Sequence, residues 1–465
     1  MTLQQILNRA LLQQRQGKLV EAEALYRQVL AHAPETVDVW VNHGATLQEL
    51  GRLDEALASY DQAVARMPAH ASAWHNRALV LLGLGQYAAA LESFEKALAR
   101  APRHADAWRA RGRALFALGR SAEALESLER ALEIAPGHLD TMYRCAALLH
   151  VEQRFDEALA VLGKVLALDP DYLDALALKG ALSCEMRRVD EGMTAYRLHA
   201  EIAFSKKPVS ESADPEPKQK HDAEQRQWMR THGLAAKDFH LEEGARVAGP
   251  AVNPANGEEV ERRWRESDPQ IVVVDNLLTP SALAALRRFC WGSTMWRRSY
   301  SSGYLGAVPE QGFACPLLAQ IAEELRAVFP AIIREHGLGL MWGFKYDSRL
   351  SGIPIHADQA KVNVNFWIAP QEANRDPQSG GLVVWGVKAP LDWDFSRYNK
   401  DEAAIRTFLG QSGAAPIAIP HRANRAVIFD SDLFHATDRI DFHGGYENRR
   451  LNVTMLYGRR TFRGS

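Results

Sequence analysis

Three side chains in the C-terminal half of the sequence have the types and spacing of a metal site. His356 and Asp358 stand two residues apart, directly before the β-branched run KVNVNFW. In an extended segment, residues i and i+2 point to the same side, so this imidazole and this carboxylate can share one ion. A second histidine, His435, follows the apolar run AVIFDSDLF. Two histidines and one carboxylate are the ligand set of non-haem Fe(II) oxygenases, which leaves coordination positions open.

A guanidinium that could bind a carboxylate follows these residues. The run RLNVTMLYG begins at Arg450, and its alternation places Arg450, Asn452 and Thr454 on one face of a strand. The planar fork of an arginine suits bidentate capture of a carboxylate. Arg449 falls on the opposite face, but strand phase near a turn is uncertain, so Arg449 stays an alternative to Arg450.

The order of these motifs resembles the 2-oxoglutarate/Fe(II)-dependent dioxygenases of the prolyl-hydroxylase-like superfamily. The resemblance runs from about residue 270 to 460. It rests on five short pieces, which are Tyr346, His356-Ala-Asp358, the turn Gly380-Gly381 before LVVW, His435 after NRAVIF, and Arg450-Leu-Asn452.

The resemblance implies a fold, a cofactor set and a role for each residue. The expected fold is an α+β double-stranded β-helix, which is a jelly-roll barrel of cupin type. His356, Asp358 and His435 would bind Fe(II), and no catalytic residue beyond these metal ligands is required. Arg450 and Asn452 would bind the distal carboxylate of 2-oxoglutarate, with the Tyr346 hydroxyl beside it. The other cosubstrate would be O₂.

The sequence leaves several neighbours of this site open. Asn363 and Asn365 alternate with apolar residues and lie either in the pocket or on a solvated face. His421 and His443 are interpreted as surface residues rather than ligands. The segment 387–416 is long for a barrel loop, so it is either a lid whose aromatic residues meet substrate or a packed surface insertion.

The first 206 residues follow a different pattern, with a period of 34. A proline closes each of five segments, an alanine precedes it by twelve residues, and a large side chain precedes it by eight. The prolines are Pro34, Pro68, Pro102, Pro136 and Pro170, and the large side chains are Tyr26, Tyr60, Phe94, Leu128 and Leu162.

This pattern resembles the tetratricopeptide repeat, a helix–turn–helix unit, over residues 3 to about 206. Proline ends the second helix of each unit because its ring cannot continue the hydrogen-bond ladder. A sixth segment lacks the closing proline and is interpreted as a terminal capping repeat. The resemblance implies an all-α solenoid that binds a protein or peptide in its groove, although a spacer or assembly role stays open.

Composition limits the remaining choices. Lys and Arg number 55 against 57 Asp and Glu, for a net charge of −2, which gives no electrostatic reason to expect nucleic acid or a membrane surface as a partner. The four cysteines show no paired spacing, which suits a reducing compartment, so we expect a cytoplasmic protein. The patterns predict a solenoid at 1–206, a linker and weakly assigned segment at 207–269, and a barrel domain at 270–465.

Together these patterns predict a 2-oxoglutarate-dependent hydroxylase whose protein or peptide substrate is recruited by the repeats. One alternative is a tetratricopeptide scaffold with a catalytically inactive barrel. Another is a small-molecule hydroxylase that uses the repeats for assembly. Collagen-type prolyl 4-hydroxylases bind 2-oxoglutarate through lysine, whereas this chain offers arginine, and that difference argues against the collagen-prolyl interpretation.

Overall fold

The structure is a computed structural model that describes residues 1–205, 214–235, 238–348, 350 and 352–460. Contacts divide the chain into two compact units, Met1–Pro170 and Asp171–Ser465. The sixth repeat and the segment that precedes the predicted barrel belong to the second unit. The domain boundaries predicted at 206 and 269 are changes of sequence pattern and stay predictions.

The first unit consists of helices that pair as antiparallel neighbours. They are α1 (Leu3–Arg15), α2 (Leu19–His32), α3 (Val37–Glu49), α4 (Leu53–Arg66), α5 (Ala71–Gly83), α6 (Tyr87–Leu98), α7 (Ala105–Ala117), α8 (Ser121–Ile134), α9 (Leu139–Val151) and α10 (Phe155–Leu168).

Small residues let the two helices of a repeat approach closely. A Cβ placed on Gly44 of α3 would lie 2.8 Å from the ring of Tyr60 on α4, and one on Gly112 of α7 would lie 3.0 Å from Leu128 on α8. The buried large side chain of each second helix therefore fills the space that the small residue leaves. The period of 34 in the sequence is the period of this contact.

The second unit begins with two helices of the sixth repeat and adds seven more among the described residues. They are α11 (Leu173–Glu185), α12 (Val189–Ser205), α13 (Glu216–Thr231), α14 (Gly257–Glu266), α15 (Pro280–Gly292), α16 (Pro316–Val328), α17 (Pro330–Ile333), α18 (Phe395–Asn399) and α19 (Glu402–Ser412).

Ten strands among the described residues of this unit form two sheets. They are β1 (Ile271–Val274), β2 (Arg298–Ser299), β3 (Leu305–Ala307), β4 (Leu338–Tyr346), β5 (Val362–Trp367), β6 (Leu382–Lys388), β7 (Pro416–Ile419), β8 (Ala426–Asp430), β9 (Leu433–Thr437) and β10 (Arg450–Tyr457). The larger sheet has the order β1-β8-β5-β10-β4-β3-β2, and the smaller has the order β7-β6-β9. Every named pairing is antiparallel.

The larger sheet separates an apolar core from a polar cavity. Val364 and Phe366 of β5 and Val453 of β10 belong to a core cluster that also contains residues of α15 and α16. The residues between them, such as Asn365, face the opposite side, because successive side chains of a strand alternate. The sequence VNVNFW therefore forms a strand that is buried on both faces, and its alternation places apolar side chains on one face and the asparagines on the other.

The described helices include none that is both long and apolar enough to cross a bilayer. Part of the predicted linker, residues 206–213, lies outside the described residues.

Candidate metal centre

The two histidines are held together by the backbone. The amide of His356 donates to the carbonyl of His435 at 3.0 Å, and the amide of His435 donates back to the carbonyl of His356 at 2.8 Å. This pair of hydrogen bonds makes the two residues direct cross-strand neighbours. One potential ligand atom from each of His356, Asp358 and His435 lies within 4.8 Å of the others.

Each imidazole has a fixed tautomer. Nδ1 of His356 lies 2.9 Å from the carbonyl oxygen of Pro354, and Nδ1 of His435 lies 3.1 Å from that of Leu433. A carbonyl oxygen only accepts, so each Nδ1 carries the proton and each Nε2 is left with a lone pair. The Nε2 atoms lie 3.7 Å (His356) and 3.4 Å (His435) from the carboxylate oxygens of Asp358.

Asp358 is buried and held in place on two sides. Its amide donates to the carbonyl of Ser431 at 3.1 Å, and its Oδ2 accepts a hydrogen bond from Nδ2 of Asn363 at 2.7 Å. Burial alone would raise the pKa of this carboxyl, but the neighbouring His435 and the Asn363 hydrogen bond hold its pKa below the ordinary value. Burial, and then His435, lowers the pKa of His356 to about 4. Asp358 and His356 therefore favour the deprotonated state that binds a metal.

The short turn that contains two of the ligands is clamped by α18. Ala357, between the two ligands, donates its amide to the carbonyl of Tyr398 at 3.0 Å and accepts from Nδ2 of Asn399 at 2.8 Å. The side chain of Trp393 is buried against Phe408 and Phe434. The segment 387–416 thus packs as an insertion around Trp393, while Phe395 remains 40% exposed.

Arg450 lies at the other end of the cavity and is 1% exposed. Its Nε donates to the carbonyl of Gly380 at 2.6 Å, its Nη2 donates to that of Gly381 at 3.2 Å, and its Nη1 donates to Oδ1 of Asn452 at 2.9 Å. Gly380 has a φ of +81°, and a Cβ on Gly381 would lie 1.9 Å from the carbonyl oxygen of Ile419. Only glycine therefore allows this turn to offer both carbonyls.

The guanidinium of Arg450 has no carboxylate within 4 Å among the described residues, and the charge of Asp438 acts on it only from a longer distance. Tyr346 packs under it, with 4.8 Å between the guanidinium carbon and the ring centroid. Burial raises the pKa of Tyr346, although the adjacent Arg450 opposes the shift. Arg449 points elsewhere and pairs with Glu224 at 2.8 Å. Arg450, and not Arg449, therefore lines the cavity.

The cavity wall between the ligands and Arg450 is built by β4, β5 and β10. Asn363 and Asn365 of β5 lie there in the same sheet as Trp342 and Phe344 of β4, with β10 between the two strands. The sequence left open whether these asparagines lie in the pocket or on a solvated face, and the structure places them in the pocket. The free space is narrow, about 30 Å³. Its side chains must change rotamer to admit more than a water molecule.

One sequence interpretation here is wrong, and one residue was missed. His421 is buried between Trp367 and Phe442 rather than exposed, whereas His443 lies at the surface as interpreted. The apolar neighbours of His421 come from distant segments, so no local pattern reveals its burial. Thr437 also lines the cavity. Thr437 lies two residues after His435 on β9, so strand alternation could have predicted that its side chain faces the same cavity.

Comparison with known proteins informs the N-terminal region. Family models described as tetratricopeptide repeats match residues 7–28, 35–103, 75–138 and 115–182. A search among curated proteins finds no match.

Solved structures resemble this chain over a share of its length similar to that covered by the family models. The structure titled as YrrB, a TPR protein with an unusual peptide-binding site, is 24% identical, covers 38% of this chain and 91% of its own, and has a TM-score of 0.36. MamA from Desulfovibrio magneticus is 22% identical over 37% of this chain and 96% of its own, with a TM-score of 0.35. PilF of Pseudomonas aeruginosa is 17% identical over 44% and 93%, with a TM-score of 0.38.

The helix pairs, their glycine contacts and the family models agree on the same segment. The N-terminal region of this chain is an array of tetratricopeptide repeats.

Proposed function

We propose that the second unit is a non-haem Fe(II)- and 2-oxoglutarate-dependent dioxygenase that hydroxylates a protein or peptide. The observation that carries this proposal is the placement of two Nε2 lone pairs and one carboxylate within 4.8 Å, at one end of a cavity whose other end holds a buried, unpaired arginine.

The donor set fits a divalent transition metal. The ligands come from a turn and a strand on one side, which leaves the cavity side open for further ligands. Carbonyls of Pro354 and Leu433 hold the two imidazoles, and Asn363 holds the carboxylate, which is the outer support that metal ligands usually have. The same donors also accept Mn(II) or Ni(II), so Fe(II) rests on the family resemblance.

The arginine end fits a dicarboxylate. A buried guanidinium without an acidic partner is costly, and a ligand carboxylate would supply the missing charge. Nη1 and Nη2 each have one N–H beyond the bonds already described, and the Tyr346 hydroxyl stands beside them. Arg450 would bind the distal carboxylate of 2-oxoglutarate, with Asn452 fixing the guanidinium plane.

When bound, Fe(II) and 2-oxoglutarate would supply the activation of O₂ and the oxidative decarboxylation that hydroxylates a C–H bond. The chain itself would bind both groups, orient the cosubstrate between Arg450 and the ligands, and exclude water behind the aromatic wall of Trp342 and Phe344. No side chain has to move a proton from substrate. The two sheets that face the cavity are compatible with the double-stranded β-helix that this function would require.

The repeats support a protein or peptide as the substrate class. Tetratricopeptide arrays typically bind proteins or peptides in their groove. In the first unit, α5, α7 and α9 line a groove of about 380 Å³ in which Arg109 pairs with Asp106 and Arg144 pairs with Asp140. That groove would hold a segment of the substrate.

A direct assay tests the proposal. Purified full-length protein would be incubated aerobically with Fe(II) and labelled 2-oxoglutarate, and succinate would be measured. We expect succinate that depends on both additions and disappears in Asp358→Ala. Formation no greater than in Asp358→Ala would contradict the proposal.

The comparisons favour a second candidate, a scaffold whose barrel is inactive. The family models cover only the repeats, which are consistent with protein interaction alone. A scaffold would bind its partners equally well with Asp358 replaced by alanine, and would turn over no 2-oxoglutarate. Equal pull-down by both chains, together with absent succinate, would select this reading.

A further inference from the structure

The strand β4 has an incomplete partner on one side, next to the candidate site. β3 pairs with β4 only at residues 343–345. After Ala307 the chain leaves the sheet and forms a short 3₁₀ helix at Pro309–Gln311, where proline has no N–H for a strand ladder. Residues 338–342 of β4 therefore have no strand beside them on this side among the described residues. Alternate residues direct their N–H and C=O groups to such an edge, where an added chain can pair with them.

An apolar groove of about 280 Å³ lies along this edge. Its other side is built by α12 and by the segment around Glu310, whose carbonyl oxygen accepts a hydrogen bond from Nδ1 of His199 on α12 at 2.7 Å. A groove of this size holds one large side chain with the backbone that carries it, and not a folded element. Its apolar lining includes Met193, Tyr196, Leu338, Leu340, Met341 and Trp342.

The groove is continuous with the cavity that holds the candidate metal ligands. Trp342 lines both, and Leu340, Trp342 and Phe344 lie on one face of β4 because they alternate along it. The groove is lined by β4 residues 338–342 and the cavity by residues 342–346, so their centres are about 13 Å apart along the strand. An extended peptide covers that length in about four residues.

Two charged side chains indicate what kind of ligand the groove takes. Arg298 of β2 and Glu310 line it, and neither forms an ion pair with another described residue. A lipid tail or an apolar small molecule would leave both charges without a partner. A peptide can place an apolar side chain in the groove and a charged neighbour against Arg298 or Glu310, so the charges favour a peptide.

We propose, on the basis of the function proposed above, that this groove anchors the protein substrate. A large apolar side chain of an extended substrate segment, such as Leu, Met, Phe or Trp, occupies the groove. The residue to be hydroxylated then lies roughly three to five residues away, in the cavity. The main chain of the segment pairs with the free edge of β4, which is binding by strand addition, and the groove selects the side chain.

Photo-cross-linking tests the groove on the full-length protein without turnover. A degenerate dodecamer library with photo-leucine at one central position would be irradiated with the purified protein, and the cross-linked residues would be located by mass spectrometry. We expect cross-links at Met193, Leu340 and Met341. An excess of the library with leucine at that position should remove them, and an excess with serine there should not. Cross-links outside the groove, or equal competition by the two libraries, would overturn the inference.

Leu340→Asp and Ile417→Asp are a matched pair of variants. Both replace an exposed apolar strand residue, 52% exposed for Leu340 and 41% for Ile417, and Ile417 on β7 lines neither the groove nor the cavity. We expect Leu340→Asp to lose cross-linking roughly 5-fold or more and Ile417→Asp to keep it. Thermal melting shows whether each variant is folded, and equal cross-linking by folded variants would overturn the inference. A wild-type dimer that Leu340→Asp converts to a monomer in light scattering would also overturn it, because a second copy would then cover the groove.

Turnover tests the distance between the anchor and the reacting residue. A fully degenerate dodecamer library would be incubated aerobically with protein, Fe(II) and 2-oxoglutarate, and the residue that gains one oxygen atom would be located by mass spectrometry. We expect the oxidised peptides to be enriched in a large apolar residue roughly three to five positions from the oxidised one. Oxidised peptides without this enrichment would overturn the inference. Absence of succinate, with cross-links at the groove retained, would count against the proposed function and support the groove as a peptide site.

Discussion

Arg450 is a buried cation whose three hydrogen-bond partners are all neutral oxygens. That arrangement costs the unliganded fold stability, and a carboxylate ligand would recover it. Arg449, its neighbour in sequence, already has two acidic partners, Glu224 at 2.8 Å and Asp347 at 3.5 Å. Adjacent arginines thus face different environments, and this contrast provides a matched test.

We predict that Arg450→Ala raises the KM for 2-oxoglutarate by roughly 10- to 100-fold, because a charge-assisted hydrogen bond to the distal carboxylate is lost. Arg449→Ala should leave that KM unchanged and lower the melting temperature, because Glu224 and Asp347 lose their cation. Initial rates against 2-oxoglutarate concentration measure both variants. An unchanged KM in Arg450→Ala would remove its assigned role.

His421 makes the stability of the second unit depend on acid. Burial, and then the charges of Arg450 and Arg425, lowers the pKa of His421 to about 3, and neither ring nitrogen has a partner among the described residues. The unfolded chain, with a histidine pKa near 6.5, binds the proton more tightly. The free energy of unfolding therefore has its largest value above about pH 6.5, and it decreases as the pH drops toward 3.

We predict that His421→Leu removes this dependence, because leucine packs against Trp367 and Phe442 without a titrating group. Between pH 7 and pH 4.5 the wild type should lose about 2 to 3 kcal/mol more than the variant. Urea unfolding at the two pH values gives the difference. Equal losses would show that His421 is not a buried neutral base.

At the scale of elements, periodic patterns were predictable and single contacts between distant segments were not. The repeat register and the strands around the metal ligands follow from local spacing, because each depends on neighbours along the chain. The clamp of α18 on Ala357 and the burial of His421 depend on segments that meet only in the fold. The double role of Asn363, which holds Asp358 and leaves an oxygen in the cavity, likewise needs coordinates.

The turn before β6 ties the smaller sheet to Arg450, and we predict that Gly381→Ala disrupts it. The new Cβ would lie 1.9 Å from the backbone oxygen of Ile419, so β7 must shift and the carbonyl under Arg450 must move. We expect a loss of about 2 to 4 kcal/mol of stability and a raised KM for 2-oxoglutarate.

Gly410→Ala on α19 is the matched control, because nothing lies within 4 Å of its Cβ position. There alanine should stabilise the helix by about 0.5 to 1 kcal/mol. Chemical denaturation ranks the two variants. A Gly381→Ala protein as stable as Gly410→Ala would refute the close approach.

At the scale of the whole molecule, the second unit carries every residue of the candidate site together with the two helices of the sixth repeat. Val189, Met193 and Tyr196 of α12 belong to the same core cluster as the strands of the larger sheet. A cut at the sequence-based boundary would remove this part of the core.

We predict that a chain of residues 171–465 folds and binds metal, while a chain of residues 207–465 is markedly less stable. Thermal melting followed by circular dichroism compares the two. If both chains melt at the same temperature, α11 and α12 contribute nothing to the core that carries the site.

The most direct test of the central claim is a difference spectrum of the full-length protein with Fe(II) and 2-oxoglutarate under anaerobic conditions. We expect a weak visible charge-transfer band from 2-oxoglutarate chelated to Fe(II), and no such band in His356→Ala. A wild-type protein that retains no metal and shows no band would contradict the metal centre and leave the repeats as the functional part of the chain.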